Sequence, residues 1–357
     1  MVRVLVGSDN RTAEQNFGDC GIAVYSFDEA SRAVDLLGVE TGIDNPAYLA
    51  VADDCVYAVS EVLSWQECTV SAYRLEAGEG RLTFLNKQPT RGLTSCHVAV
   101  LPGKRLAVAN YSDGAGGPDQ AVCFYPLAAD GSIGSPDGSA AHRGEPGADP
   151  ERQARSHAHC TVASVDGRAA LVADLGLDSV IVYAAEAPVR ELCRLRLPAG
   201  HGPRHIAVHP NGRTVYVLNE LQPLLSVLAW DGARLTYERD VETLEDKVGT
   251  AASAGAAIQL SPDARFLYTS TRGPDCLTVF ALGAAGTAPE RVEVVPCGGR
   301  WPRDLGLTPS GAHLIVANQF SDALAIFARD AATGRLSDTG GRIAVRAPKC
   351  VKALAVR

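Results

Sequence analysis

The chain has 357 residues, 46% of them hydrophobic, with 41 acidic against 33 basic side chains and a net charge of −8. That balance supports a large core and argues against nucleic acid or an anionic membrane surface as the main partner, because both select for positive charge. No apolar stretch of about eighteen residues offers a membrane span, and the ten cysteines are scattered without a C-x-x-C pair, so zinc and thiol–disulfide motifs are unsupported.

Taken in order, the chain opens on MVRVLVGSDN, which reads as a short strand rather than a signal peptide. A reducing cytoplasm is the expected compartment. From residue 47 onward one plan repeats. A loop residue precedes an apolar strand core, a turn rich in Pro, Asp or Gly follows, and a second β-rich run comes next. The loop residues are Ala47, Cys96, His159, Arg204, Ala256 and Arg303. The second runs end at Glu61, Tyr111, Leu175, Glu220, Arg272 and Gln319. In the last four repeats the two positions are sixteen residues apart every time. Turns such as His209-Pro210-Asn211-Gly212-Arg213, Ser261-Pro262-Asp263-Ala264-Arg265 and Thr308-Pro309-Ser310-Gly311 suit tight reversals. Runs such as Leu277–Phe280 and Ala323–Phe327 close each unit.

Repeats spaced 45 to 63 residues apart, each with several strands, read as propeller blades. A seventh blade assembles from both ends, with Ala353–Val356 as its first core run and Val4–Ser8 as its second. Sharing a blade between the termini removes free sheet edges. The expected fold is therefore all-β: a seven-bladed β-propeller of four-stranded antiparallel blades, forming a single domain over residues 1–357. Two Gly-, Asp- and Pro-rich or polar stretches, 129–156 and 240–255, read as excursions on the rim.

Equivalent positions of a radial repeat share a rim, so His159, Arg204, Glu220, Arg272, Arg303 and Gln319 are expected to converge. Like charges gathered this way repel unless an anion sits among them. Arg204, Arg272 and Arg303 thus read as a clamp for carboxylate or phosphate, the alternative being local pairing with acids such as Asp304 or Asp275. Glu220 is a candidate general base or water-orienting group, and His159 a candidate proton carrier. His157 falls on the same side of an extended segment as His159. Asn219, Gln319 and Glu61 complete the candidate substrate contacts. His97 and His205, one place past the rim position, are expected to face blade packing. No third ligand accompanies His157 and His159, so no metal is expected. No serine elbow, P-loop or dinucleotide fingerprint is present, and no cofactor is expected.

These residues also carry a family likeness. Asn45-Pro46-Ala47-Tyr48-Leu49, Cys96-His97-Val98-Ala99-Val100, Asn110-Tyr111 and Pro150-Glu151-Arg152-Gln153 form its first part. His157-Ala158-His159, Asp174-Leu175-Gly176, Gly202-Pro203-Arg204-His205, Asn219-Glu220, Ser270-Thr271-Arg272-Gly273, Pro302-Arg303 and Asn318-Gln319 complete it. The chain resembles the seven-bladed propeller lactonases, which include cycloisomerase-type 6-phosphogluconolactonases and the fungal 3-carboxy-cis,cis-muconate lactonizing enzyme. The resemblance implies a metal-free site of one histidine, two arginines and a glutamate, here His159, Arg204, Arg272 and Glu220. It implies a small anionic substrate, a sugar-phosphate lactone by default. A muconate-type cycloisomerase and a non-enzymatic binding propeller are the alternatives. The sequence departs from the family at Ser112–Asp119, which is longer and more acidic, and at Val165, where a proline is usual.

Overall fold

The computed structural model describes residues 1–12, 15–112, 118–244, 253–283 and 285–356. Its regular structure is almost all strand, arranged as seven four-stranded antiparallel sheets. This is the blade number and blade composition expected of a seven-bladed propeller. The first six sheets follow chain order, beginning at Pro46, Ser95, Ala158, Pro203, Ala254 and Pro302. In the closing sheet Pro348–Ala355 pairs with Val2–Ser8, with Val4 opposite Ala353, so both termini share one blade as expected.

Two compact units are distinguished. One comprises Met1–Pro46, Glu76–Leu82 and Val241–Arg357, and holds the fifth, sixth and closing sheets. The other comprises Ala47–Leu75 and Thr83–Asp240, and holds most of the first four. Within each unit the core lies between neighbouring sheets. Cys160, Leu171, Val182, Ile206, Val217 and Leu228 pack together in the second unit, and Tyr268, Val279, Leu305, Val316 and Phe327 in the first. A blade's middle strands are therefore covered on both faces. Ala169–Asp174 and Ser179–Ala184 are buried at every residue, which is why they read as continuous apolar runs.

Two sequence readings need correction. Each unit does not end at runs such as Ala323–Phe327: a fourth strand follows, here Leu336–Ala344. These outer strands are half-exposed and bulged, so their apolar alternation is weak. The 129–156 excursion is also not all loop, because Gly138–Ala140 is the outer strand of the second sheet. Residues 113–117 of the acidic Ser112–Asp119 departure, and 245–252 of the second excursion, lie outside the described residues.

The turns form as their residues dictate. Asn211 Oδ1 accepts the amides of Arg213 and Thr214, and Gly212 takes φ +68°, a left-handed angle that favours glycine.

The sixteen-residue spacing has a structural cause. In the third sheet Ala158 pairs with Asp174 and Cys160 with Ala173, leaving His159 as the extra residue of a β-bulge. Arg204 and Arg303 are the bulged residues of the fourth and sixth sheets, and Cys96 that of the second. A bulge takes one side chain out of the alternating ladder and re-aims it. In these four sheets the repeated loop position is thus a bulge.

The last paired residue of the second strand is polar and fully buried in the same four sheets: Asn110, Asp174, Asn219 and Asn318. Each ties its strand end to nearby chain. Asn110 Nδ2 donates to the carbonyls of Thr90 and Gln120, and Asn219 Nδ2 to Leu224 O and Ser226 Oγ.

Candidate functional site

In the second unit the bulges of the third and fourth sheets bring three of the sequence-derived residues together. Arg204 Nε donates to Glu220 Oε2 at 2.9 Å, and His159 Nε2 lies 4.0 Å from the same oxygen. All three side chains are buried, so their charges act with little screening by solvent. A fourth group was not assigned from the sequence. Arg152 Nη2 donates to Glu220 Oε1 at 2.6 Å and to the Tyr111 hydroxyl at 3.2 Å. Burial pulls the Arg152 pKa down, but the Glu220 carboxylate and Tyr111 outweigh it and hold it above the usual guanidinium value. Glu220 therefore carries a guanidinium on each oxygen.

An aromatic and imidazole layer surrounds this centre. His157 stacks on Tyr111 with centroids 4.4 Å apart, and His159 meets the same ring edge-on at 5.7 Å. His157 Nδ1 donates to the Tyr111 carbonyl at 2.7 Å, which fixes its tautomer. His97 faces blade packing as expected: its Nδ1 accepts the Thr161 amide at 3.4 Å and its Nε2 lies 3.5 Å from Cys160 Sγ, both on the third sheet. Arg204 Nη1 approaches His205 Nε2 at 3.1 Å, and since arginine can only donate, that nitrogen is the acceptor and the ring proton sits on Nδ1. His205 in turn meets His159 and His97 edge-on, and His97 stacks on Tyr48 at 4.0 Å. Of the two, His205 is the imidazole that braces Arg204.

Arg152 comes from the 129–156 segment, which is tied down rather than loose. Fully buried Gln153 donates to Leu175 O at 2.8 Å and Asp178 Oδ1 at 2.7 Å, and Asp149 Oδ1 accepts the amides of Glu151 and Arg152. Gly176 closes against this segment. A Cβ there would lie 1.7 Å from the Arg155 carbonyl oxygen and 2.9 Å from His157 Cδ2. Gly176→Ala is expected to cost about 1–3 kcal/mol in urea unfolding, and an unchanged midpoint would contradict this packing.

The other sequence-derived residues are placed as follows. Asn219 is buried as the clasp of the fourth sheet, its amide nitrogen held by its own blade. Glu61 follows the second strand of the first sheet, half-buried. In the first unit, buried Arg272 donates to the Gly255 carbonyl at 2.9 Å and lies 5.4 Å from the Trp301 ring centroid, a cation–π contact. Trp301 stacks on Phe320 and holds φ +63°, its amide donating to Asp275 Oδ1. Arg303 is half-buried on its bulge. Gln319 Nε2 donates to Asp9 Oδ2, while Asp9 Oδ1 pairs with Lys349 at 2.7 Å. Asp9, Lys349 and Trp301 lie in stretches that carried no sequence signal.

Comparison with known proteins agrees with this architecture. Residues 4–353 match the family model described as "Lactonase, 7-bladed beta-propeller". The 6-phosphogluconolactonase of Bacillus subtilis is 31% identical over 341 residues, covering 94% of this chain and 95% of that protein. That of Formosa agariphila is 30% identical, covering 88% and 90%. Among solved structures, the periplasmic gluconolactonase of Pseudomonas aeruginosa superposes with TM-score 0.90 at 30% identity, covering 100% of this chain and 99% of that one.

Proposed function

The chain belongs to the seven-bladed β-propeller lactonase family, and on that premise we propose that it hydrolyses an anionic sugar lactone, by default 6-phosphogluconolactone. The observation that carries the reading is the buried group in which Arg204 and His159 both face one carboxylate oxygen of Glu220. Both Glu220 oxygens already accept guanidinium donors, so His159 is the better-placed group to take a proton from water. Water oxygen then bonds to the lactone carbonyl carbon. Glu220, 4.0 Å away, offsets the charge that the imidazole gains. Arg204 stabilises the developing oxyanion, where fixed positive charge is most effective. The ring C–O bond breaks, the departing oxygen takes the proton back from His159, and a hydroxy acid leaves. Arg272, buried between a carbonyl and an indole, serves as a further anion-holding cation, with Arg303, Gln319, His157 and Glu61 as weaker candidates for substrate contact. We take residues 1–357 as one domain acting in a reducing compartment, in keeping with its ten free thiols.

Acid release from freshly prepared 6-phosphogluconolactone, corrected for spontaneous hydrolysis, is the direct test. We expect acceleration above background, reduced roughly 10²–10³-fold by Arg272→Ala. No acceleration would remove this substrate. Lactone formation from a muconate-type diacid would then support the cycloisomerase.

A further inference from the structure

We propose that Arg152 is an anion-binding residue that exchanges Glu220 for the anionic group of the substrate. The inference rests on the lactonase reading for its substrate, but its geometry stands apart from it.

Arg152 differs from Arg204 in every respect that matters for exchange. Its side chain is 42% exposed, against 3% for Arg204. Arg204 is built into a strand bulge and braced on two sides, by Glu220 and His205. Arg152 reaches Glu220 from a surface segment, across a sequence separation of 68 residues. Its backbone is nonetheless fixed, because Asp149 and Gln153 anchor the turn. The result is a long cation on a rigid base, with its head at a buried carboxylate and its flank in solvent. Such a guanidinium can turn toward an arriving phosphate or carboxylate without unfolding anything.

The exchange is electrostatically sensible. Glu220 is already paired with Arg204, so losing Arg152 does not leave a lone buried charge. Phosphate offers a guanidinium the same two-oxygen geometry that a carboxylate does. Once Arg152 has turned, Glu220 Oε1 has lost one cation, and its charge acts more fully on His159. Substrate binding and activation of the proton carrier are then one event. The Tyr111 hydroxyl, 3.2 Å from Arg152, and the His157 ring stacked on Tyr111 mark where the anion would arrive.

Arg152→Gln separates this from a structural role. Because the side chain is partly exposed, the variant is expected to fold with wild-type melting behaviour. For a phosphorylated lactone, kcat/KM should fall roughly 10- to 150-fold, the range for losing one charge-assisted hydrogen bond. The loss should be smaller on the neutral lactone of the same ring, which carries no anionic group for Arg152 to meet, and Arg152→Lys should restore part of the difference. Equal losses on both lactones, or none on either, would overturn the proposal. Calorimetric binding of inorganic phosphate to the wild type and to Arg152→Gln does not depend on turnover. Weaker phosphate binding in the variant, in a protein that hydrolyses no lactone, would leave the anion site standing and remove the lactonase reading. Unchanged phosphate affinity, with lactone hydrolysis intact, would remove the anion site alone.

Discussion

Glu220→Gln is expected to lower kcat on the lactone substrate by roughly 10²–10⁴-fold, the range for loss of an acid–base element. The substitution keeps the shape of the side chain and removes its charge. Arg204 then loses its carboxylate in a place where it is 3% exposed, and His159 loses the group that offsets its imidazolium form. The two effects separate by measurement. Loss of the offset lowers kcat. Loss of the Arg204 brace lowers stability, by up to about 3–5 kcal/mol for a broken buried pair. Kinetics well below the unfolding midpoint, alongside denaturant melts, resolve them. A variant with unchanged kcat and raised KM would show that Glu220 only holds Arg204 in place, and would end its role in proton transfer.

Asp174→Ala should be the most destabilising single change in the second unit, by about 3–5 kcal/mol. The carboxylate is fully buried and accepts four bonds: His142 Nδ1 at 2.5 Å, Ser156 Oγ at 2.6 Å, and the amides of His157 and Leu177 at 2.9 and 3.1 Å. It clasps the third sheet to the segment that leads to His157 and His159. Burial alone would raise its pKa, but His142, Ser156 and the His157 amide outweigh burial and hold it below the usual carboxylate range. A depressed native pKa means that the unfolded chain binds the proton more readily. The stabilisation is therefore complete above the unfolded carboxylate value near 4, and it is lost as pH falls through the lower native value. Acid unfolding should begin below about pH 4 in the wild type. Asp174→Asn should show a shallower dependence over that window. Identical acid titrations of stability would show that the clasp carries no linkage.

Much of the blade plan was legible because it rests on local rules. Turn residues, apolar runs and their spacing located the inner strands of six sheets, and the two end segments paired as the seventh. The outer strands were not legible. Strands such as Leu336–Ala344 are half in solvent and interrupted by bulges, so neither alternation nor apolar runs mark them. Within the candidate site, counting sixteen residues singled out His159, Arg204 and Glu220, and these do meet in the structure. Counting could not find Arg152. It stands outside the repeat, and its only trace was the Pro150-Glu151-Arg152-Gln153 motif. His205 packs on His97 and also meets Arg204, a contact that spacing along the chain did not show.

The sequence by itself determined the all-β class, the seven blades, the shared terminal blade and the recurring position that carries His159, Arg204 and Arg303, because each is encoded in short-range spacing and turn chemistry. Only the tertiary structure decided which of those side chains touch, that Glu220 bears two guanidinium groups rather than one, and that Asn219 holds its own blade together. Those outcomes depend on approaches between residues up to 68 positions apart, set by bulge geometry and sheet packing, for which spacing along the chain carries no signal.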